Sequence, residues 1–379
     1  MNYIIFGGTG FIGTHLAKLL KAERPNDKVW NLDVVSPDRL DWALEQKVAS
    51  WATVKDYKTA LCEGEVHPAT FVECDVRKPL VDASGALTVD LPFTPTSEDV
   101  IFNFAAIHRT PGHPDRDYFE TNVRGAENVC DFAEKYGIRK MVFTSSIAPY
   151  GAAEELKEES TLPTPNTAYG ISKYVAEKVH MMWQARGVAN DNDDDTGREL
   201  TIVRPGVVFG KGENGNFTRL YWGIKKHTFA YPGRKDTIKA CVYVKELVRF
   251  MLWRLEHAHD NDAANAYDDD NRGIGSSADI FNCTFEPAYT IEEIVKTIKK
   301  VTGLKQAVPY VPNAVIMPAA VGAKMVGSPM GICPARVKKL QISTNICGKK
   351  LAECGYKFKW TFEEAVEDWF EDNGRKFLK

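Results

Sequence analysis

Long apolar runs are missing from this chain of 379 residues. No run reaches the roughly 18 apolar residues that a membrane-spanning helix needs, so stable membrane insertion is not expected. The first strand-like run begins at residue 3. That start leaves no room for the charged, apolar and cleavage regions of a secretory signal, and the sequence therefore predicts a cytoplasmic protein.

Paired cysteines and an excess of one charge are also missing. The eight cysteines are scattered without a Cys-x-x-Cys pair, which argues against a disulfide framework and against a metal site. The formal net charge of −3 gives no broad basic field for nucleic acid. The expected partner is a small molecule, and no nucleic acid or metal is expected.

Strand-like and helical runs alternate through the first 205 residues. Long amphipathic helices are predicted over Tyr118–Tyr136 and Tyr169–Ala185. This alternation predicts an α/β fold, a Rossmann-type doubly wound parallel sheet. The predicted strands are Tyr3–Phe6, Val29–Asp33, Thr70–Glu73, Val100–Phe104, Lys140–Ser145 and Leu200–Arg204.

The chain changes character after Arg204. We assign residues 1–204 to a dinucleotide-binding Rossmann domain, to which the chain returns at about 237–261, and residues 205–379 mainly to a smaller C-terminal α/β substrate lobe. Helices are predicted over Thr290–Gly303 and Phe362–Phe370. The acidic stretches Asn190–Arg198 and Asp260–Gly275 are expected to form solvated loops or disordered insertions.

The segment Ala314–Gly327 is apolar and rich in small residues. It allows two interpretations, a face for a lipid-linked substrate or membrane and a packed part of the core. One lysine gives it too little cationic character for an interfacial helix, so core packing is the favoured interpretation.

A glycine-rich turn follows the first predicted strand directly. Gly7, Gly10 and Gly13 allow a tight turn, close approach to a pyrophosphate and close packing of the next helix. Phe11 and Ile12 begin that helix, whose free N–H groups favour an anion. These residues are therefore predicted to bind a dinucleotide.

An acidic residue, Asp33, ends the second predicted strand twenty residues after Gly13. A carboxylate there accepts hydrogen bonds from a ribose 2′-hydroxyl and repels a 2′-phosphate. The cofactor is therefore predicted to be NAD rather than NADP, a preference that Arg39 would soften.

Hydroxyl and amine side chains follow the fifth predicted strand. Ser146 comes at the strand end, and Tyr169 and Lys173 are spaced to share one face of a helix. An ammonium group beside a phenol favours the phenolate, which makes the tyrosine a usable base, and Ser146 would donate to the developing alkoxide. The same spacing occurs at Tyr136/Lys140, Tyr174/Lys178, Tyr221/Lys225 and Tyr231/Lys235. Tyr169 differs from these in opening a helix downstream of a Thr-Ser-Ser strand end.

Together these motifs resemble the extended short-chain dehydrogenase/reductases, the superfamily of NAD-dependent sugar epimerases and dehydratases that includes UDP-glucose 4-epimerase. The resemblance covers residues 1 to about 250. It implies that Tyr169 is the base, that Ser146 is its hydrogen-bonding partner and that Pro205 lies at the nicotinamide end. The cofactor contacts that it implies are Gly7, Gly10, Gly13, Asp33, Asp75, Val76, Ala105, Ala106, Asn122, Tyr169, Lys173 and Pro205.

Two departures from the family pattern narrow the chemistry. Ile147 and Ala148 stand where the 4,6-dehydratases carry an Asp-Glu pair, which disfavours dehydration. Val207 stands where sugar-nucleotide enzymes carry an asparagine against the substrate diphosphate, which weakens the case for a nucleotide sugar. The residues predicted to contact substrate are His108, Arg109, Asn216, Arg219, Tyr231, Lys239 and Arg336.

The resemblance implies an NAD-dependent epimerase that inverts a hydroxyl-bearing carbon of an activated sugar through a transient ketone. One alternative is an NAD-dependent dehydrogenase or reductase of a sugar or a sterol-like alcohol. Another is a non-catalytic dinucleotide sensor, which typically lacks the tyrosine or the lysine. The helices Tyr118–Tyr136 and Tyr169–Ala185 resemble the pair that joins family members into homodimers, so a homodimer is expected.

Overall fold

Seven parallel strands form the centre of the protein in the computed structural model. The structure describes residues 1–37, 61, 65–108, 112–190, 197–257, 278–325, 337 and 340–379. The strands of the sheet are β1 (Asn2–Phe6), β2 (Lys28–Asp33), β3 (Thr70–Glu73), β4 (Val100–Asn103), β5 (Lys140–Thr144), β7 (Glu199–Pro205) and β11 (Asp279–Cys283).

The strand order across the sheet is β11-β7-β5-β4-β1-β2-β3. Every neighbouring pair is parallel, and Tyr3 of β1 is in register with Val29 of β2 and Val100 of β4. The order reverses between β1 and β4, which is where ligands of doubly wound sheets bind. The predicted fold class is confirmed, and each of the six predicted strands is found with its ends within one residue.

The sequence missed the seventh strand, β11. It lies in the range assigned mainly to the substrate lobe, yet it extends the central sheet beside β7, with Phe281 in register with Val203. The strand contains Asn282, a fully buried polar residue whose side chain accepts a hydrogen bond from the Tyr150 hydroxyl. Because Asn282 interrupts the apolar residues of β11, the apolar run is too short to predict a buried strand from the sequence.

Helices cover both faces of the sheet. Successive side chains of each strand point to opposite faces, so both faces carry apolar residues that need to be covered. Tyr3 and Ile5 of β1 face α1 (Phe11–Glu23) and α6 (Val244–Glu256), while Ile4 and Phe6 face the opposite layer. That layer contains α2 (Asp115–Tyr118), the π-helical turn Phe119–Val123, α3 (Arg124–Lys135) and α4 (Ala168–Asn190). These helices confirm the two long amphipathic runs.

The C-terminal part of the chain builds a second core around Phe209. That ring stacks on Phe217 and Tyr243, with centroid distances of 4.7 and 5.4 Å. The helices of this lobe are α5 (Asn216–Lys225), α7 (Ile291–Thr302), α8 (Asn313–Met325) and α10 (Phe362–Asp372), whereas α9 (Lys349–Glu353) packs on the central sheet through Leu351. Its short parallel pairs are β8 (Val207–Phe209) with β10 (Cys241–Tyr243), β9 (Tyr231–Pro232) with β12 (Tyr310–Val311), and β6 (Ala153–Lys157) with β13 (Thr344–Ile346).

Capping explains where the two predicted helices of this lobe begin. Thr290 before α7 and Thr361 before α10 each form a capping box with the glutamate three residues on. Gly303 ends α7 with φ of 69°, a left-handed conformation that favours glycine. Both predictions, Thr290–Gly303 and Phe362–Phe370, are confirmed.

Core packing of Ala314–Gly327 was the wrong interpretation for the side chains of this segment that the structure describes. Val315 is 58% exposed and Val321 is 48% exposed on α8, and Ala314 and Pro318 are exposed as well. An apolar composition predicts burial only where another element covers the helix, and that depends on the fold. The acidic runs 191–196 and 258–277 lie outside the described residues, as do Arg39, Arg109 and Arg336.

Candidate active site

The glycine-rich turn connects β1 to α1 at the carboxyl edge of the sheet. Gly7 has φ of 80°, and a Cβ atom there would lie 2.8 Å from the backbone N of Ala105. A Cβ atom on Gly13 would lie 2.6 Å from the Cα atom of Gly8. The backbone therefore leaves no room for side chains at these positions. Such a turn is a cradle that a pyrophosphate can approach closely.

Gly10 is the residue that precedes α1. Its carbonyl accepts the backbone N–H of Thr14, so the helix begins directly at the turn. Phe11 and Ile12 occupy the first helical positions, where backbone N–H groups have no partner within the helix. Their side chains pack against the core, so any contribution to the cofactor site comes from their backbone.

Asp33 lies beside this turn at the end of β2. Its carboxylate accepts the backbone N–H of Thr9 at 3.1 Å and that of Val35 at 3.3 Å. Burial raises the pKa of Asp33 to about 6, and these backbone hydrogen bonds oppose part of the shift. The turn and this carboxylate therefore fit a dinucleotide that has an unmodified ribose hydroxyl.

Asp75 and Val76 follow β3. Arg77 donates from Nε and Nη2 to the two Asp75 carboxylate oxygens at 2.9 and 2.6 Å. Burial alone would raise the pKa of Asp75, but these bonds hold it below its ordinary value. Val76 packs against Gly125, where an added Cβ atom would lie 2.8 Å from a Val76 methyl. The two residues therefore form a fixed edge next to β2.

Asn122 joins the loop after β4 to helix α4. Its Oδ1 atom accepts the backbone N–H of Ile107 at 2.8 Å, and its amide donates to the Ile107 carbonyl and to the Ser172 hydroxyl. Ala105 and Ala106 immediately precede Ile107 and are half-buried. Asn122 therefore fixes the position of the segment predicted to run along the cofactor.

The predicted catalytic residues meet at the carboxyl end of β5. Tyr169, in the first turn of α4, is hydrogen-bonded to Ser146 and lies 6.2 Å from the Tyr118 ring, measured between centroids. Lys173 is one turn further along and is 2% exposed, with its Nζ atom 4.4 Å from the Phe143 ring centroid. The structure thus brings together the serine, the tyrosine and the face that carries the lysine.

The electrostatics of this group differ in one respect from the sequence prediction. Burial raises the pKa of Tyr169, although the Ser146 hydrogen bond opposes the shift, whereas Lys173 was expected to lower it. Burial also lowers the pKa of Lys173 to about 7, because removing an ammonium group from water disfavours its charged form. The lysine is therefore only partly charged near neutral pH.

A buried ionic network behind the lysine was missed by the sequence reasoning. The Arg204 guanidinium donates from Nε and Nη2 to Glu177 at 2.9 and 2.6 Å, and from Nη1 to the Tyr150 hydroxyl at 2.6 Å. Ser145 donates to the same carboxylate. Because Glu177 is four residues after Lys173, helical spacing could have placed it on this face.

Pro205 and Val207 follow the network along the chain. The Pro205 carbonyl accepts the backbone N–H of Ile147 at 3.2 Å, so the end of β7 is held against the loop that carries Ser146. Val207 starts β8 in register with Cys241. The structure therefore brings the predicted nicotinamide-end proline next to the loop that carries Ser146.

The loop after β4 lies close to Tyr169 at its far end. His113 packs edge to face on Tyr118 at a centroid distance of 5.9 Å, and Tyr118 in turn contacts Tyr169. His108 is exposed at the near end of this loop. Arg109, predicted between them as a substrate contact, lies outside the described residues.

The other predicted substrate contacts differ in their exposure to solvent. Asn216 and Arg219 are exposed together on α5, with Oδ1 3.5 Å from Nη2. Lys239 donates from Nζ to the Ile342 carbonyl at 2.6 Å. Tyr231, predicted to contact substrate, is 4% exposed and packs against Phe229 in the lobe core. Arg336 lies outside the described residues.

The chain is similar to one protein family and to several characterised proteins. Residues 3–268 match the model described as the NAD dependent epimerase/dehydratase family. An Escherichia coli O157:H7 protein, N-acetyl-alpha-D-glucosaminyl-diphospho-ditrans,octacis-undecaprenol 4-epimerase, is 26% identical over 273 residues, which are 71% of this chain and 76% of the relative. A Lactobacillus helveticus UDP-glucose 4-epimerase is 24% identical over 332 residues, 82% of this chain and 84% of that protein.

The fold also matches solved structures along nearly the whole chain. A Thermotoga maritima UDP-glucose 4-epimerase, solved with UDP-glucose, aligns with a TM-score of 0.63 at 20% identity. The alignment covers 99% of both chains. At this identity the match supports the architecture of the sheet and the lobe.

Proposed function

This chain belongs to the NAD dependent epimerase/dehydratase family, and from that premise we propose that it inverts the carbon 4 hydroxyl of a sugar carried on a diphosphate. Family membership confirms the predicted enzyme class and the predicted cofactor, NAD. The two curated relatives invert carbon 4 of their sugars, and both of those sugars are linked through a diphosphate. The finer assignment of carbon and linkage rests on them and on the site.

The cofactor would be held by the turn and the carboxylate that fit it. Gly7, Gly10 and Gly13 would receive the pyrophosphate, and Asp33 would receive the adenosine ribose. When bound, NAD supplies a hydride acceptor at the nicotinamide end, near Pro205. Asn122 holds the loop between these two ends.

Tyr169 would remove the proton of the sugar hydroxyl as the carbon is oxidised, and would return it after the ketone has turned in the site. Ser146 would hold the same oxygen, and Lys173 would favour the phenolate. The observation that carries this proposal is the hydrogen bond between Tyr169 and Ser146 beside the buried Lys173. Ile147 and Ala148 provide no carboxylate for an added dehydration step.

The diphosphate would lie on the lobe side of the catalytic loop. Arg219 and Lys239 would supply positive charge to it, and His108 lies in the loop after β4. Val207 stands at the position where sugar-nucleotide enzymes have an asparagine that contacts the diphosphate. This departure favours a carrier other than a nucleoside.

We also propose a homodimer built on α3 and α4. Ile171, Val175 and Met182 form one exposed apolar stripe along α4, and Phe119 is exposed next to it. An exposed apolar stripe along a helix, with an exposed aromatic side chain beside it, is a surface that a helical dimer interface can cover. A reducing compartment such as the cytoplasm suits the six cysteines that the described residues leave as free thiols.

The proposal is tested by incubating the purified chain with catalytic NAD and either UDP-glucose or a polyprenyl diphosphate N-acetylglucosamine. Inversion at carbon 4 is followed by proton NMR. Tyr169→Phe should lower turnover by on the order of 10²–10⁴-fold. Tyr174→Phe is the matched control, because Tyr174 has the same spacing to Lys178 on the same helix but lies away from Ser146. Equal turnover in Tyr169→Phe, or inversion at another carbon, would overturn the proposal.

A further inference from the structure

A buried histidine outside the predicted site contacts the glycine-rich turn. His67 lies just before β3, in a segment to which the sequence gave no function, and is 8% exposed. Its Nε2 atom is 3.1 Å from the Gly8 carbonyl oxygen, and its Nδ1 atom is 3.2 Å from the backbone N of Ala69. His67 and Gly8 are 59 residues apart, so the ring bridges two distant parts of the chain.

The geometry of these two contacts assigns the proton on the ring. A carbonyl oxygen can only accept a hydrogen bond, and a backbone N–H can only donate one. Both contacts are made at once by a neutral imidazole that carries its proton on Nε2, donates it to Gly8 and accepts the Ala69 N–H at Nδ1. The Ala69 carbonyl is further from Nδ1, at 3.4 Å. His67 is thus a hydrogen-bond donor to the turn.

Strand β2 and the residues after it hold the next residue of the turn from another direction. Thr9 donates its backbone N–H to the Asp33 carboxylate at 3.1 Å and its hydroxyl to the Val35 carbonyl at 2.7 Å. The fully buried Asn31 donates its side-chain amide to the same hydroxyl at 2.9 Å. A Cβ atom on Gly8 would overlap the Asn31 side chain. Gly8 and Thr9 are therefore fixed by contacts from separate elements.

Holding the Gly8 carbonyl matters because a glycine-rich turn is free to adopt many conformations. Gly7, Gly8 and Gly10 give the segment more backbone freedom than other residues would. A flexible segment binds more weakly, since binding must order it, and a segment that is already ordered avoids this loss. The Thr14 hydroxyl also lies near the Gly8 carbonyl, but at 3.5 Å, so His67 is the closer of the two donors.

We propose that His67 is a positioning residue for the NAD site: its Nε2–H holds the Gly8 carbonyl and so keeps the turn in the conformation that receives the pyrophosphate. Its effect on the cofactor passes through Gly8, which it contacts. The proposal rests on the cofactor and does not depend on the reaction at carbon 4. The rival interpretation is a purely structural role, in which His67 orders the start of β3 through Ala69.

Two substitutions separate the two contacts of the ring. His67→Asn keeps an acceptor near the Nδ1 position for the Ala69 N–H but is too short to reach Gly8, whereas His67→Gln places an amide donor near the Nε2 position. Calorimetric titration of the full chain with NAD should show an affinity about threefold to tenfold lower for His67→Asn, because one hydrogen bond to the turn is lost. His67→Gln should bind NAD like the unmodified chain.

His257→Asn is the matched control for removing a histidine ring. That ring also contacts a backbone carbonyl, that of Trp253, at 2.8 Å. His257 follows Glu256, which pairs with Arg24 at the opposite end of α1 from the turn. The NAD affinity of this control should equal that of the unmodified chain. Urea denaturation without NAD checks that each variant is folded.

Nitrogen-15 NMR of the unmodified chain with labelled histidines tests the contact without any variant. The His67 ring should carry its proton on Nε2, and exchange of that proton with water should slow when NAD is added, because the turn is then held from both sides. A proton on Nδ1, or an exchange rate that NAD leaves unchanged, would contradict the proposed contact.

The titrations also have results that would overturn the proposal. These are an unchanged NAD affinity in His67→Asn, equal losses in His67→Asn and His67→Gln, which would support the structural role, and an equal loss in His257→Asn. Failure of the proposed function looks different. In that case NAD would bind the variants in the expected order while no sugar is inverted at carbon 4. Inversion at carbon 4 with normal NAD affinity in His67→Asn would leave the epimerase and remove the role of His67.

Discussion

Glu177 and Arg204 form a buried ion pair one helical turn beyond Lys173, with 2.6 Å between Oε2 and Nη2 and side-chain exposures of 0 and 2%. The pair connects α4 to the end of β7. Arg204 also donates to the Tyr150 hydroxyl, which donates to Asn282 of β11. The position of the predicted catalytic helix on the sheet is therefore fixed by a network of charges that water does not reach.

Breaking this pair should be strongly destabilising. Glu177→Gln should lower the free energy of unfolding by about 3–5 kcal/mol, because the Arg204 charge stays buried without its counter-ion. Urea denaturation measures the change. The control is Glu363→Gln, which removes the exposed pair with Lys300 and should change stability by less than about 1 kcal/mol. Similar losses in both variants would contradict a special role for the buried pair.

The pH dependence of turnover should show one rise through about pH 7. Burial lowers the pKa of Lys173 to about 7, so below that value both the lysine and Tyr169 hold their protons and the pair provides no base. Above it the pair has lost one proton, and kcat/KM should level off. Lys173→Met should move the rise to higher pH, because burial raises the pKa of Tyr169. An unchanged profile in that variant would assign the titration to another group.

Sequence periodicity was sufficient for six strands of the sheet and for the glycine turn. These features depend on neighbours in the chain: alternation within β1 selects the two faces, and the small space around Gly13 comes from Gly8 in the same turn. The structure places Tyr169 beside Ser146, as the sequence predicted, because helical spacing and the preceding strand end are both local signals.

Features that depend on contacts between distant parts of the chain could not be predicted from the sequence. The partner of Glu177 lies 27 residues away on another strand, and nothing in the helix pattern names Arg204. Tyr231 was predicted as a substrate contact, and its burial in the lobe core depends on segments that are distant in the sequence. The exposure of α8 was misjudged for the converse reason, because hydrophobicity does not report whether any segment covers a helix.

NAD affinity should fall as the pH is lowered through about 6. Burial raises the pKa of Asp33 to about 6, so the carboxyl becomes protonated below that value and accepts ribose hydroxyls less well. Calorimetric titration with NAD at about pH 5 and about pH 7, on either side of the Asp33 pKa, measures the change in affinity. Asp33→Asn should remove the dependence. Asp75→Asn should retain it, because Arg77 holds the pKa of Asp75 below the window. A dependence that persists in Asp33→Asn would contradict the assignment.

Charge on the α4 stripe should dissociate the proposed homodimer. Ile171→Asp would place a carboxylate in an apolar interface, so light scattering should show the mass of one chain where the unmodified protein shows two. Val66→Asp changes an equally apolar exposed position away from α4 and should leave the mass unchanged. A monomeric unmodified protein at micromolar concentration would contradict the dimer itself.

The last prediction separates an epimerase from the dehydrogenase alternative. An epimerase must return the hydride to the ketone in each cycle, so substrate should turn over with catalytic NAD and without accumulating the absorbance of NADH. The site supports this outcome because Ser146 and Tyr169 can hold one oxygen through both half-reactions, and Ile147 and Ala148 add no further acid or base. A deuterium label on the inverted carbon should stay at that carbon. The Val207 departure leaves a clear opposing result: stoichiometric NADH with a stable ketone, including one formed from a sterol-like alcohol, would reject epimerisation and establish a dehydrogenase.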